Sequence, residues 1–322
     1  MGRALRALAL IVGCTLLATC GQERSKARRI AVIPKGTTHE FWKSVHVGAE
    51  RAARALAVEV IWKGPLKEDD RTAQIQVVED FVVRGVDGIV LMPLDDQALV
   101  APAREAHARG IPVVIGDSDL AWQERVSFVA TDNARGGRMA GDELARRLAG
   151  QGKLILMRYS EGSASTAERE RGFLEAVAAH PGLEVLSSNQ YAGASVESAY
   201  ETAENLLHGF PEVEGIFCPN ESSTFGMLRA LQDAGRAGSV RFVGFDASQK
   251  LVEALRAGQI DALVLQNPVA IGELAVRALV EHLDGQPVEP RIDTGVHLAT
   301  RENVDAAPIR ELLAPDLSIL GG

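Results

Sequence analysis

From Arg29 onward, short apolar runs alternate with longer stretches whose apolar residues recur every three or four positions. "RIAVIP" predicts a strand and "EFWKSVHVGAERAARAL" a helix; "VEVIWKG", "VDGIVLMP" and "IPVVIGD" predict further strands, separated by the helices "RTAQIQVVEDFVVRG" and "DDQALVAPAREAHARG". The order then restarts. "KLILMRYS", "LEVLSSNQY", "VEGIFCPN" and "VRFVGFD" are strands, and "TAERERGFLEAVAAH", "SVESAYETAENLLHGF" and "SSTFGMLRALQDAG" are helices. Strands regularly separated by helices imply right-handed βαβ units and parallel sheets covered on both faces. The halves also rhyme, "VDGIVLMP" with "VEGIFCPN" and "IPVVIGD" with "VRFVGFD", so that Asp117 and Asp246 close corresponding strands. The fold class is therefore α/β, with two doubly wound parallel-sheet lobes joined by a hinge.

One helix start carries an oddity. In "STAERERGF", Ser165 and Glu168 have the spacing of a capping box, which predicts the helix N-terminus there. Arg169 lies on the apolar stripe of Phe173 and Val177, whereas Arg171 is about 200° further round and faces solvent. An inward cation at the positive end of a helix needs a carboxylate partner, and Asp246 and Asp117 are the candidates.

The first residues do not continue the pattern. "MGRALRALALIVGCTLLATC" has two arginines and then an apolar stretch, the n-region and h-region of an export signal, too short for a membrane span. It ends in "LATC", which resembles a bacterial lipobox with Thr19 in place of a smaller residue, and makes Cys20 the expected lipidation site. "IVGC" offers Cys14 as the alternative, with a shorter h-region. Processing at Cys20 leaves Cys218 as the one thiol, so no disulfide framework is expected. "GQERSKARR" then reads as a polar tether, and the mature chain as an exported, membrane-anchored body on the periplasmic or cell-surface side.

With 322 residues and 46% hydrophobic content the chain can bury two cores. A net charge of −9, with no basic run after the first thirty residues, argues against a nucleic-acid partner. Phosphate-loop, dinucleotide, nucleophile-elbow and zinc-protease motifs are missing from the sequence, so no cofactor or metal is expected. His39 and His46 are seven apart but have no third ligand nearby.

In open α/β sheets, ligands bind beyond the carboxyl ends of the strands. Residues just past the apolar runs are Thr37, Thr38, His39, Phe41, Trp42, Asp95 and Asp117 in the first half. The second half supplies Glu161, Arg169, Tyr191, Asn220, Glu221 and Asp246, and "DALVLQNP" adds Gln266. Carboxylates, amides, an arginine and aromatics suit a polyhydroxylated ligand, because hydroxyls both donate and accept while its C–H faces need apolar cover. Each has a structural alternative: the aspartates as turn or capping residues, the amides as backbone partners, the aromatics as core. Paired acids also serve glycoside hydrolysis, but an arginine and two amides beside them should keep both aspartates ionised, which makes them poor general acids. A binding module rather than an enzyme is expected.

These residues resemble the periplasmic ribose-binding protein family, the type-I solute-binding proteins of sugar ABC transporters. The motifs that carry the resemblance are "HEFW", "PVVIGDSD", "TDNARGGRMAGD", "STAERERGFLEAV", "GIFCPNESS", "VGFDAS" and "LVLQNPVAIG". The resemblance implies that Phe41 and Trp42 sandwich a sugar ring, that Asp117 and Asp246 accept its hydroxyl protons, and that Arg169, Asn220 and Gln266 complete the ring of contacts. His39 stands where the family has asparagine, Ser118 where the ribose binder has arginine, and the aromatic expected near Gly193 is missing, with Tyr191 as its substitute. Interlobe crossings are implied at 131–133, after Gln266 and near Thr294. The implied organisation is a leader (1–19), a tether (20–29), a first lobe (30–131 plus 267–293) and a second lobe (132–266 plus 294–322). The expected role is that of a monomer that captures a monosaccharide by hinge closure and delivers it to an ABC permease. A sugar-sensing partner of a chemoreceptor or sensor kinase is the alternative; a repressor core would need a helix-turn-helix where the export signal stands.

Overall fold

The computed structural model describes residues 27–321. The expected leader, with Cys14 and Cys20, and most of the tether lie outside them. The first series runs β1 (Arg29–Ile33), α1 (Glu40–Leu56), β2 (Glu59–Trp62), α2 (Arg71–Arg84), β3 (Gly88–Leu91), α3 (Val100–Ala108), β4 (Val113–Gly116) and β5 (Phe128–Ala130). After α4 (Asn133–Arg147) the second series follows: β6 (Gln151–Arg158), α5 (Ala164–Ala178), β7 (Gly182–Tyr191), α6 (Val196–Gly209), β8 (Gly215–Phe217), α7 (Glu221–Asp233), β9 (Arg241–Phe245), α8 (Gln249–Arg256) and β10 (Ala262–Leu265). The chain finishes through α9 (Pro268–Leu283), β11 (Arg291–Asp293), β12 (His297–Thr300), α10 (Ala307–Leu313) and a 3-10 turn at Ser318–Leu320.

Two six-stranded sheets result, ordered β2-β1-β3-β4-β5-β11 and β7-β6-β8-β9-β10-β12. Their first five strands share one topology, all parallel; β12 is antiparallel to β10. In β1, Ala31 and Ile33 face the core beneath α2 and α3, whereas Ile30 and Val32 face α1 and α9. The second sheet is likewise enclosed, by α6, α7, α8 and α10 on one face and by α4 and α5 on the other. Period-two strands apolar on both faces force this three-layer arrangement in each lobe.

The lobes exchange helices. After β5 of the first sheet, α4 packs on the second; after β10 of the second, α9 returns to the first. Asp132 caps α4 and Asn267 caps α9, each accepting from the N–H three residues on, so both crossings end in the same turn chemistry. The third crossing joins β11 to β12, and Thr131 and Thr294 hydroxyls meet at 3.3 Å between crossings. One segment departs from the expected division. Although α10 packs in the second lobe, the following turn lies on α1 of the first, where Arg51 and Arg54 donate to the carbonyls of Asp316 and Ile319.

The expected capping box at Ser165 and Glu168 does not form. Helix α5 starts earlier, at Ala164 with Ser163 as N-cap, and Glu168 instead pairs with the exposed Arg171. Cys218 is buried in the second core, where burial pushes its thiol pKa up.

Each exchanged helix crosses its neighbour at a pair of glycines. A Cβ on Gly48 would stand 1.9 Å from the Val269 carbonyl oxygen, and one on Gly272 2.0 Å from that of Val45, so α1 and α9 meet backbone to backbone. Gly137 against Arg169, and Gly172 against Ala134, do the same for α4 and α5. Alanine at Gly272 or Gly172 gains about 1 kcal/mol of helix propensity but must push two backbones apart. Both variants should therefore be less stable than wild type by chemical denaturation; equal or greater stability would show that the crossings are looser than described.

Candidate functional site

The β1–α1, β2–α2 and β4 loops of the first lobe face the β6–α5, β8–α7, β9 and β10 loops of the second. Between them lies a polar cavity of about 30 Å³ bounded by Lys35, His39, Phe41, Trp42, Glu68 and Asp117 on one side. Tyr159, Ser165, Thr166, Arg169, Asn220, Glu221, Asp246 and Gln266 bound the other. A larger cavity of about 490 Å³ adjoins it between α1, α8 and the C-terminal turn, sharing Phe41, Asp246 and Gln266, but its lining is mostly apolar. The convergence of buried polar groups marks the smaller one as the candidate site.

Asp117 and Asp246 occupy the same place in the two lobes, with φ of 58° and 68°. Asp tolerates this left-handed region better than most residues, but at a cost met where the surroundings enforce it. Each backbone N–H is held by the neighbouring strand, Asp117 by Val129 and Asp246 by Val264. Lys35 Nζ stands 3.3 Å from Asp117, and Gln266 Nε2 donates to Asp246 at 2.7 Å. Burial pushes the Asp246 carboxyl up, against the pull of Arg169 and Gln266, a direction opposite to the one expected from those neighbours. Gln266 Oε1 is buried with no hydrogen-bond partner among the described residues.

Arg169 points inward as the helix pattern predicts. Its Nε donates to Asn133 Oδ1 and its Nη1 to the Pro219 carbonyl, both at 2.8 Å, and Asp246 lies 3.8 Å away. The guanidinium also lies 3.9 Å from the centre of the Phe245 ring. Burial lowers its pKa, with Asp246 and Asp117 acting against that fall.

His39 Nδ1 meets Glu68 Oε1 at 2.5 Å, and Glu68 also accepts from Trp42 Nε1 at 2.6 Å and from the Tyr159 hydroxyl across the cleft at 2.7 Å. Burial acts to lower the His39 pKa, but the hydrogen bond and charge of Glu68 raise it to about 9. Burial likewise acts against ionisation of Glu68, and His39, Lys35 and Tyr159 bring it down to about 2. Phe41 and Trp42 stand perpendicular, centroids 4.9 Å apart, so they do not form two parallel walls of a sandwich; both pack into the first-lobe core while lining the cavity. Asn220 caps α7 while lining the cavity, its Oδ1 accepting from Ser223 N and its Nδ2 donating to Ser222.

Of the residues expected to contact the ligand, Tyr191 is the one that does not line the cavity. It ends β7 at the sheet edge, half-exposed, with Arg158 over its ring. Tyr159, which follows β6, lines it instead. Among the other strand-end residues, Asp95 caps the turn into α3 and pairs with Arg71, and Thr37 bonds the Pro65 carbonyl. Lys35, Glu68, Tyr159, Ser165 and Thr166 went unrecognised in sequence. Lys35 and Tyr159 stand directly past strands and were open to the rule that found Asp117, whereas Glu68 lies deep in a loop. His46 stacks on Trp62, well apart from the role of His39.

The lobes touch through these same groups. Lys35 Nζ donates to the Ser163 and Ser165 hydroxyls, Ser165 N donates to Ser118 Oγ, and Asp96 N donates to the Gly162 carbonyl. Two lobes of one topology, closed on a cleft lined by charges and aromatics from both, define a hinged binder of a small polar ligand. A sequence model of the periplasmic binding protein domain matches residues 30–287. The ribose import binding protein of Escherichia coli K12 is 29% identical over 299 residues, 92% of this chain and 99% of that one. A solute-binding protein of Agrobacterium radiobacter in complex with D-arabinose superposes with a TM-score of 0.87 at 30% identity, over 90% of this chain and all of that one. One from Agrobacterium vitis with bound D-fucose gives 0.85 at 34% identity, over 89% and 100%. The chain belongs to the periplasmic binding protein family.

Folding raises the His39 pKa from 6.5 and lowers that of Glu68 from 4.5. The pair's stabilisation is therefore complete between those ordinary values, and is lost as pH rises through about 9 or falls through about 2. The stability gap between wild type and His39→Gln should thus be widest near pH 6 and narrow steadily toward pH 9 in urea titrations. A gap unchanged with pH would refute the ion pair.

Proposed function

We propose that this protein is the extracytoplasmic solute-binding component of a sugar ABC importer, closing its lobes on a monosaccharide and presenting it to the permease. The observation that carries the reading is the pair of strained aspartates at matched strand ends, with Arg169 and the unpartnered Gln266 oxygen between them. Relatives with ribose, arabinose or fucose in their names or complexes support the ligand class. The cationic groups Lys35, His39 and Arg169 nearly balance Glu68, Asp117, Asp246 and Glu221, which suits an uncharged polyol. His39, Phe41, Trp42, Asp117, Arg169, Asn220, Asp246 and Gln266 are the proposed contacts. The sugar seats by replacing side-chain bonds such as Lys35 to Ser165 and Glu68 to Tyr159 with bonds to its own hydroxyls. Because those bonds join the two lobes, a ligand touching both sides is what makes the closed form favourable.

In this reading the protein binds without turnover. It works as a monomer exported by its leader and held at the membrane through a lipid on Cys20, or on Cys14. The first lobe is 30–131 with 267–293 and the second 132–266 with 294–315, the last residues returning to the first.

A thermal-shift panel of pentoses, hexoses and sugar alcohols should single out one stereochemical series, since a ligand that binds only the native state raises Tm. Hydrogen bonds to charged groups contribute about 1.5–3 kcal/mol, so Asp246→Ala and Arg169→Ala should each weaken that sugar roughly tenfold or more in calorimetry. Unchanged affinity in both variants, still folded by circular dichroism, would remove these residues from the site.

A further inference from the structure

Two helices that border the cleft begin without a cap of their own. His39 is the N-cap of α1 but makes no side-chain bond to the helix, its ring being committed to Glu68. Ser248, the N-cap of α8, makes none either. The first N–H groups of a helix are unpaired donors at its positive end, and a carboxylate is their natural acceptor. In both cases it arrives from the opposite lobe. Glu221, the first residue of α7, accepts from Glu40 N at 3.3 Å and from Phe41 N at 3.1 Å. Glu40 in turn accepts from Gln249 N at 3.3 Å. The lobes thus trade caps.

We propose that Glu221 is the positioning residue of closure: it brings α1 the cap that this helix lacks, and does so only when the lobes meet. The proposal rests on the cleft being the ligand site, and assigns Glu221 to the lobe contact rather than to the sugar. Glu221 is also the deeper of the two trading carboxylates. The charged groups facing it are His39 and Glu40 from α1 and Asp246 from the end of β9. Burial pushes its carboxyl up to about 7, with the His39 charge and the two N–H donors pulling down and Asp246 pushing further up. His39 and Glu68 belong to the same lobe, so their ion pair does not depend on closure, and His39 titrates only near 9. Glu40 sits at the exposed rim.

Opening returns Glu221 to water and to an ordinary value near 4.5, so closing takes up a proton between that value and about 7. Affinity for an uncharged sugar should therefore rise as pH falls through this range and level off above it. Linkage allows up to about tenfold per pH unit for one group.

The test titrates D-ribose, D-allose, D-arabinose, D-fucose and myo-inositol calorimetrically at about pH 5.5 and about pH 8, in wild type, Glu221→Gln and Glu221→Ala. The expected wild-type result is roughly tenfold tighter binding at the lower pH. Glu221→Gln, an uncharged isostere that still accepts a hydrogen bond, should lose most of this difference, matching wild type at low pH while Asp246 keeps a smaller pH dependence of its own. Glu221→Ala should lose it likewise but bind more weakly than Glu221→Gln, because the cap is gone. A Glu221→Gln variant that keeps the wild-type pH profile, or a wild type with none, overturns the latch. If no sugar of the set binds any variant, the monosaccharide reading fails, and the latch is judged on the same proteins by small-angle X-ray scattering. Wild type should then be more compact at low pH and Glu221→Gln should lose most of that difference; any other pattern overturns it.

Discussion

A guanidinium buried away from water has to be surrounded by acceptors, and the cleft of this protein is organised around one. Arg169, in the second turn of α5, draws together the crossing residue Asn133, the carbonyl of Pro219 after β8, and Asp246 at the end of β9. Removing a single partner leaves a charge stranded in low dielectric, a cost of several kcal/mol, so these loops are held in one arrangement. Because α5 begins at Ala164, Arg169 stands in the second turn, past the reach of the helix dipole, so its local cost is burial rather than the helix end.

Symmetry carries the remainder. The two aspartates share a place in the topology and a strained backbone, the two helix crossings share a glycine-to-glycine approach, and two of the three chain crossings share an Asx cap. Between these matched halves run polar contacts: Lys35 with Ser163 and Ser165, Ser165 with Ser118, Tyr159 with Glu68, and the traded caps. Polar contacts exchange readily with water, so their net gain on closure is small and a ligand can tip the balance.

What could be read in the sequence follows from where the signal is local. Repeating apolar runs revealed most of the strands, and the restart of the pattern revealed two lobes. Short or glycine-rich elements escaped: β5 has three residues, and α4 carries Gly136, Gly137 and Gly141, whose poor helix propensity conceals a helix that needs them for close packing. The strand-end rule collected most of the cleft, because position along a parallel strand dictates which end of the sheet a residue occupies. It could not tell edge strands from interior ones, and so it took Tyr191 on the edge strand β7 and passed over Tyr159 after its interior neighbour β6. The capping box at Ser165 failed for a related reason, since that hydroxyl is committed to Lys35 of the other lobe.

The exchange of α4 and α9 also bears on how the chain is made. The face of the first sheet formed by Ile30, Val32, Val90, Val114 and Val129 is covered on its far side by α9, which ends at Leu283. A nascent chain that has released every strand of the first lobe up to Ala130 therefore still exposes part of that apolar face, and goes on doing so while the whole second lobe is synthesised. Neither lobe is a unit that can be cut free at a crossing. The first-lobe core is complete only once α9 has been made, and until then that apolar face stays uncovered on one side.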